Sequence, residues 1–276
     1  VSATMYLIGR VDLNGNFKSF NSPALSAAQL KEQEAIFSQD FNGDGNIGGM
    51  VQPASVDTDY AGELTITIPN VPVGGKVRLD KYLDRNENGV VDAGEMLTQS
   101  LELTDGYVQT FGGVRNTSVP GDEDGAANGV IRTKYLFKAQ SEINRGEGKW
   151  IYRAVRVDNG ATLEESTLVV TQPNLGQFIT GQVTSNGQPV PYAAVALLDS
   201  TYSGNFVRGV LSDATGNYSI AAAPGEHLVV PVALGTAHID QFHEHTGTGI
   251  VKVTGGANTT RNLSMLAASR TITGRV

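Results

Sequence analysis

The stretch F-I-T-G-Q-V, Phe178–Val183, decides how the rest of the chain is read, because its pattern occurs three times. Y-L-I-G-R-V stands at Tyr6–Val11 and T-I-T-G-R-V at Thr271–Val276. Each copy places an apolar residue, a glycine and a valine in one frame, as the opening strand of a β module would. The last two copies start about 93 residues apart, near the ~100 residues of a β-sandwich, while the first interval holds a sandwich plus extra material. The expected fold is therefore all-β, a tandem of β-sandwich modules.

The composition agrees. Of 276 residues, 33 are glycine, as many short strands joined by tight turns require. Hydrophobic residues make up 40% and charged residues 17%, so there is enough apolar material for cores and too little charge for a disordered acidic chain. The net charge of −8 argues against nucleic acid or anionic lipid as a partner. With no cysteine there can be no disulfide, zinc–thiolate site or cysteine nucleophile. The apolar run near Leu228–Leu234 contains Pro231 and is far too short to span a bilayer. The chain opens on Val1, as expected of a processed protein or of a piece of a longer one.

Around the middle copy the signals follow in order: the turn at Ser185–Val190, a buried strand at Ala193–Asp199, the turn S-D-A-T-G-N-Y-S-I at Ser212–Ile220, and a Pro-Gly before Leu228. Over about residues 177–266 this set resembles the carboxypeptidase regulatory-like domain, a transthyretin-like sandwich. That resemblance implies a seven-stranded fold that accompanies catalysis and does not perform it. In the first unit Leu64, Ile66 and Ile68 alternate with Glu63, Thr65 and Thr67, the pattern of a half-buried strand. Lys76–Leu83 reads as the next strand, and Leu101–Thr104 and Tyr107–Phe111 as strands completing the sheet.

Directly after Leu83 comes D-R-N-E-N-G-V-V-D-A-G-E, Asp84–Glu95. It has the residue order of an EF-hand calcium loop. Asp84, Asn86 and Asn88 fill positions 1, 3 and 5, and Gly89 fills the sharp turn at position 6. Val90 offers a carbonyl at position 7, Asp92 stands at position 9, and Glu95 can close the site at position 12. Ca²⁺ takes six to eight oxygens, and this run supplies them in sequence. The alternative is a polar turn-rich loop that binds nothing. The combination of strand and loop is similar to prealbumin-like bacterial surface modules and to the B-type repeats of Gram-positive adhesins. The resemblance implies an extracellular module rigidified by calcium.

An insertion at about residues 20–56 carries a capping-box pattern at Ser26–Gln29, so a short helix is expected from Ala27 to about Gln39. It runs into a second loop in which Asp40, Asn42, Asp44 and Asn46 stand at positions 1, 3, 5 and 7. Position 12 is Val51, so a distant group such as Asp57 or Asp59 would have to finish the coordination; otherwise the loop is an unoccupied Asx-turn.

The expected domains are 1–115, a sandwich with the insertion and calcium loops; 116–176, a small β module or an extension of the first, the separate module being preferred; 177–267, the regulatory-like sandwich; and 268–276. The last is the first strand of a further module or a donor strand for a neighbouring molecule, the former preferred. Trp150, the only tryptophan, is expected in a core. His238, His243 and His245 could hold a transition metal, although such clusters are more often solvated. No nucleophile–base pair, H-E-x-x-H, P-loop or dinucleotide fingerprint is present, so no enzyme is expected. The expected role is a calcium-stabilised extracellular or cell-surface structural or adhesive protein, a stalk, fibre or matrix component. Its expected partners are calcium, other copies of itself, and surface proteins or glycans. The alternatives are a non-catalytic binding accessory of a secreted enzyme and a filament subunit that polymerises by strand donation. Calcium removal is expected to destabilise residues 1–115 and leave 177–267 unchanged.

Overall fold

The computed structural model describes residues 7, 9–11, 16–20, 24–25, 30–31, 33–34, 41, 48–115, 119–199, 204–232, 238–239 and 250–267. The first part of the chain supplies β1 (Gly9–Val11), β2 (Phe17–Phe20), β3 (Val51–Gln52), β4 (Ser55–Asp57), β5 (Glu63–Ile68), β6 (Lys76–Asp84), β7 (Met96–Thr104), β8 (Thr110–Phe111), β9 (Val114–Arg115), β10 (Ile131–Leu136), β11 (Gly148–Arg156) and β12 (Thr162–Thr171). Two 3₁₀ turns, Phe137–Ala139 and Glu142–Arg145, lie between β10 and β11. Of the inserted helix, Leu30, Lys31, Gln33 and Glu34 are helical, and the rest of the expected span lies outside the described residues.

Alternation along β5 builds the first core: Leu64, Ile66 and Ile68 are fully buried while Glu63 and Thr65 are exposed. β5 lies between β10 and β3 in a three-stranded sheet. It faces a five-stranded sheet in the order β4-β12-β11-β6-β7. Val77, Leu79 and Leu83 of β6, Trp150 and Tyr152 of β11, and Leu168 and Val170 of β12 share one core with β5. Residues 131–171 thus add β10 to one sheet and β11 and β12 to the other, β11 pairing with β6 through eight residues from Lys149↔Asp84 to Arg156↔Val77. Among the described residues the strands of 116–176 have no core of their own. Tyr107–Phe111 does not extend the sheet either. The chain folds back through Gly112–Gly113, pairs Phe111 with Val114, and leaves Phe111 86% exposed.

The second sandwich is built from β13 (Phe178–Ser185), β14 (Gln188–Pro189), β15 (Ala194–Asp199), β16 (Phe206–Leu211), β17 (Asn217–Ala221), β18 (Gly225–Val232), β19 (His238–Ile239), β20 (Ile250–Val253), β21 (Thr259–Thr260), β22 (Leu263–Ser264) and β23 (Leu266–Ala267). One sheet places β13 beside β14 and β17, with β21 and β22 running parallel to it. The other has the order β16-β15-β18-β20. Ile179, Val183, Val195, Leu197, Tyr218, Ile220, Val229 and Leu263 meet between them. The glycine of the repeated motif has a packing reason here. A Cβ on Gly181 would lie 1.9 Å from the carbonyl oxygen of Arg261, which also accepts the Tyr218 hydroxyl. The third copy, Thr271–Val276, lies outside the described residues, as do His243 and His245; His238 is described only as main chain in β19.

Candidate metal centre

The Asp84–Glu95 loop joins two antiparallel strands. Asp84 is the last residue of β6, Glu95 immediately precedes β7, and Leu83 is paired with Met96. In a ladder such partners lie about 5 Å apart. The strand pairing therefore brings loop positions 1 and 12 together, the task that two flanking helices perform in an EF-hand.

Within the loop, side-chain oxygens gather the main chain. Asp84 is 1% exposed, and its two carboxylate oxygens accept the amides of Asn88 at 3.2 Å and Gly89 at 2.7 Å. Gly89 stands at φ +77°, which gives the sharp turn expected at position 6. The amide oxygen of Asn86 accepts the N–H of Asn88 at 3.1 Å, and that of Asn88 accepts the N–H of Val90 at 2.8 Å. Each keeps a second lone pair. The Nδ2 groups of Asn86 and Asn88 both donate to Asp92 Oδ2 at 3.0 Å, while Asp92 Oδ1 accepts the N–H of Gly94 at 2.9 Å. The Gly94 amide, then Asn86 and Asn88, hold the Asp92 carboxyl below its usual range.

Glu95 is the exception to this satisfaction. Its Oε2 accepts the N–H of Arg85 at 2.9 Å, but its Oε1 is buried and has no hydrogen-bond partner. Burial is the main reason its carboxyl is pushed up; the Asp84 and Asp92 charges add to this, and the Arg85 amide opposes it. A buried carboxylate oxygen without a donor is costly. A cation beside it would remove the cost and the repulsion from Asp84 and Asp92 together. Among the described residues no three His, Cys, Asp or Glu side chains are grouped as a metal site. The set offered here is mixed: carboxylates of Asp84, Asp92 and Glu95, amide oxygens of Asn86 and Asn88, and the carbonyl of Val90. All are oxygen donors, which suits a hard cation. Lys149 steadies the loop from β11 by donating to the Glu87 carbonyl at 2.8 Å.

Asp40, Asn42, Asp44 and Asn46 of the second loop lie outside the described residues. Its flanks carry a feature that motif reading missed. Glu34 is fully buried, and its carboxylate accepts the N–H of Phe41 at 3.0 Å and of Gly48 at 3.2 Å. Phe41 is position 2 of that loop, as Arg85 is of the first, so Glu34 receives the same amide that Glu95 receives. Asp59, considered as a distant ligand for this loop, is engaged elsewhere: it faces Arg208 at 3.1 Å and Lys138 at 3.8 Å. Asp57 accepts the N–H of Asp59 at 2.8 Å.

The acidic stretch at Asp122–Gly125 is a main-chain staple. Asp122 is fully buried and accepts the amides of Gly106 at 2.8 Å and Arg132 at 3.1 Å. Asp105 is 3% exposed and accepts those of Gly74, Asn128 and Gly129 at 2.8, 3.3 and 3.1 Å.

Residues 157–254, less than half of the chain, match a family described as Protein of unknown function (DUF1416). Among curated proteins none matches the chain. Solved structures with similarity include the Bacillus anthracis TIE protein, at 11% identity and a TM-score of 0.25, covering 76% of this chain and 32% of that one. The major pilin subunit of Bacillus cereus, BcpA, has 13% identity and a TM-score of 0.22, covering 81% and 68%. Native alpha-2-macroglobulin from Escherichia coli, domains NIE–MG1, has 14% identity and a TM-score of 0.20, covering 67% and 93%. This chain thus spans about a third of the first of these proteins. At such scores no role carries across from any of them. Among the described residues no helix is long and apolar enough to cross a membrane.

Proposed function

We propose that this chain is a calcium-stabilised structural segment of an extracellular or cell-surface protein, a stalk, fibre or matrix component. In this reading the Asp84–Glu95 loop is a fixed calcium staple. The observation that carries it is the buried, partnerless Oε1 of Glu95, at the position where the motif requires a closing carboxylate. The chemistry that calcium supplies is charge: it neutralises Asp84, Asp92 and Glu95 and links the ends of β6 and β7. Binding restricted to the folded state stabilises it by RT ln(1 + [Ca²⁺]/Kd), so even a weak site is filled at extracellular millimolar calcium. The Asp40 loop is the second candidate site, with Glu34 holding its flanks. The test is thermal unfolding of the full chain in EDTA and in 2 mM CaCl₂. A higher midpoint in calcium, abolished by Asp84→Ala, supports the assignment. Equal midpoints overturn it.

One observation favours a second reading, a binding accessory. Tyr107 is 58% exposed and Phe111 86%, and Tyr107 lines a cleft of about 380 Å³ with Lys76, Glu102, Gln109 and Val119. Exposed aromatics beside a cleft suit a sugar or peptide. A glycan array probed with the wild type and with Tyr107→Ala separates the two: retention that depends on Tyr107 supports the accessory role, and no retention favours the stalk.

A further inference from the structure

We propose that the two sandwiches form one rigid, cooperatively melting unit, locked where the first module covers an edge of each sheet of the second. β16 and β17 are both edge strands, one in each sheet. An uncovered edge leaves main-chain groups without partners and invites pairing with other chains. Here both edges are met by polar groups from the first module or the residues that follow it. On β17, the Gln172 side chain copies a strand: its Oε1 accepts the N–H of Ala221 and its Nε2 donates to the carbonyl of Ser219 at 2.8 Å. Its Nε2 also meets Glu147 Oε2 at 2.8 Å, which orients the amide. On β16, the main-chain N–H of Glu147 donates to the Gly209 carbonyl at 2.7 Å. The Arg145 guanidinium lies over the Phe206 ring at 5.3 Å.

Arg208 ties these contacts together. Its side chain is 5% exposed. One guanidinium nitrogen donates to the Ala221 carbonyl at 2.6 Å, and another reaches both Asp59 oxygens at 3.3 and 3.1 Å. A buried guanidinium whose carboxylate partner belongs to the other module makes separation costly, because parting them leaves the charge uncompensated. Leu211 of β16 adds an apolar contact, packing against the core of the first module. A hinge would need a seam with few buried groups, and this one holds a buried charge, one main-chain bond from Glu147 to Gly209, and the side-chain bonds of Gln172 and Arg208.

The seam uses no residue of the Asp84–Glu95 loop, so its test stands apart from calcium binding. Scanning calorimetry of the full chain is expected to give a single transition for both modules, and ¹⁵N relaxation a single rotational correlation time. The double variant Asp59→Asn/Gln172→Ala changes two half-buried or exposed side chains and leaves both cores intact. It is expected to split the transition in two and let the modules tumble separately. Two transitions or two correlation times in the wild type overturn the proposal. So does a double variant with unchanged melting and relaxation.

Discussion

Replacing Glu95 with Gln should change sign with calcium. In EDTA the Glu95 carboxylate is a burden on the fold: it is desolvated, it faces Asp84 and Asp92, and its Oε1 has no donor. Gln keeps the shape and an oxygen for the Arg85 amide, and it removes the charge. The variant should therefore melt at or slightly above the wild-type temperature in EDTA. In calcium the order should reverse. For a Kd of about 0.1 mM, in the range of extracellular modules, 2 mM calcium stabilises the wild type by about 1.8 kcal/mol. For a protein of this size that is roughly a 4–7 °C rise in Tm. Gln offers one neutral oxygen where Glu offers two charged ones, so most of that rise should be lost. The assay is a melt of both proteins in each buffer, followed by circular dichroism. A purely structural Glu95, acting through its bond to Arg85, would give the same difference in both buffers, and that result would refute the reasoning.

Acid should weaken calcium binding. Because the Glu95 carboxyl is pushed above its usual range, it takes up a proton at a higher pH than an ordinary glutamate, so affinity should begin to fall above pH 4.5 and keep falling as pH drops. Calcium titrations between pH 7 and pH 4.5 measure this, and constant affinity would count against it. Lys81 gives a second pH effect. It is 1% exposed, donates to Gln140 Oε1 at 2.9 Å and to the Asn144 carbonyl at 2.7 Å, and burial lowers its pKa well below the ordinary 10.5. The faces of Trp150 and Tyr152, at 4.5 and 5.2 Å, attract a cation, but that gain of about 2 kcal/mol is smaller than the several needed to bury an ammonium. The folded state thus binds fewer protons than the unfolded one between the lowered pKa and 10.5. Stability should rise with pH through that window, by up to about 1.4 kcal/mol per unit, and level off above 10.5. In Lys81→Met this part of the slope should vanish in urea titrations; an unchanged slope assigns it elsewhere. Asp105→Ala should cost about 3–5 kcal/mol by urea denaturation, since three loop amides lose a charged acceptor, and a loss below 1 kcal/mol would show that water replaces it. Gly181→Ala should destabilise the second sandwich by several kcal/mol, because its methyl would meet the Arg261 carbonyl. A near-neutral effect would mean that β21 and β22 shift freely.

Local pattern was a good guide to faces and a poor one to partners. Leu64, Ile66 and Ile68 declare a half-buried strand because alternate side chains point to opposite faces, and the strand lies where that pattern runs. The Asp84–Glu95 loop was legible for a similar reason, since its spacing is local. That β11 would sit between β6 and β12 was not legible. Lys149 and Asp84 are far apart in sequence, and nothing in either strand names the other. This is why residues 116–176 could be taken for a module of their own. Lys81 hides in the same way: V-x-L-x-K-x-L along β6 puts it on the inward face, and only the acceptors at Gln140 and Asn144 make that position tolerable. Nothing local in the sequence marks Gln172, just past β12, yet it closes the edge of β17. That seam also alters the expected effect of EDTA. If the sandwiches melt together, metal loss at the loop should move one shared transition, and residues 177–267 would not be spared.

The most direct measurement is a calorimetric titration of the metal-free full chain with CaCl₂, repeated with Asp84→Ala and with MgCl₂. The calcium account predicts saturable heat with a Kd in or below the millimolar range, weakened at least tenfold by Asp84→Ala and much weaker for magnesium, which prefers a tighter octahedral site. No saturable heat with calcium, or binding of equal strength in Asp84→Ala, would contradict it.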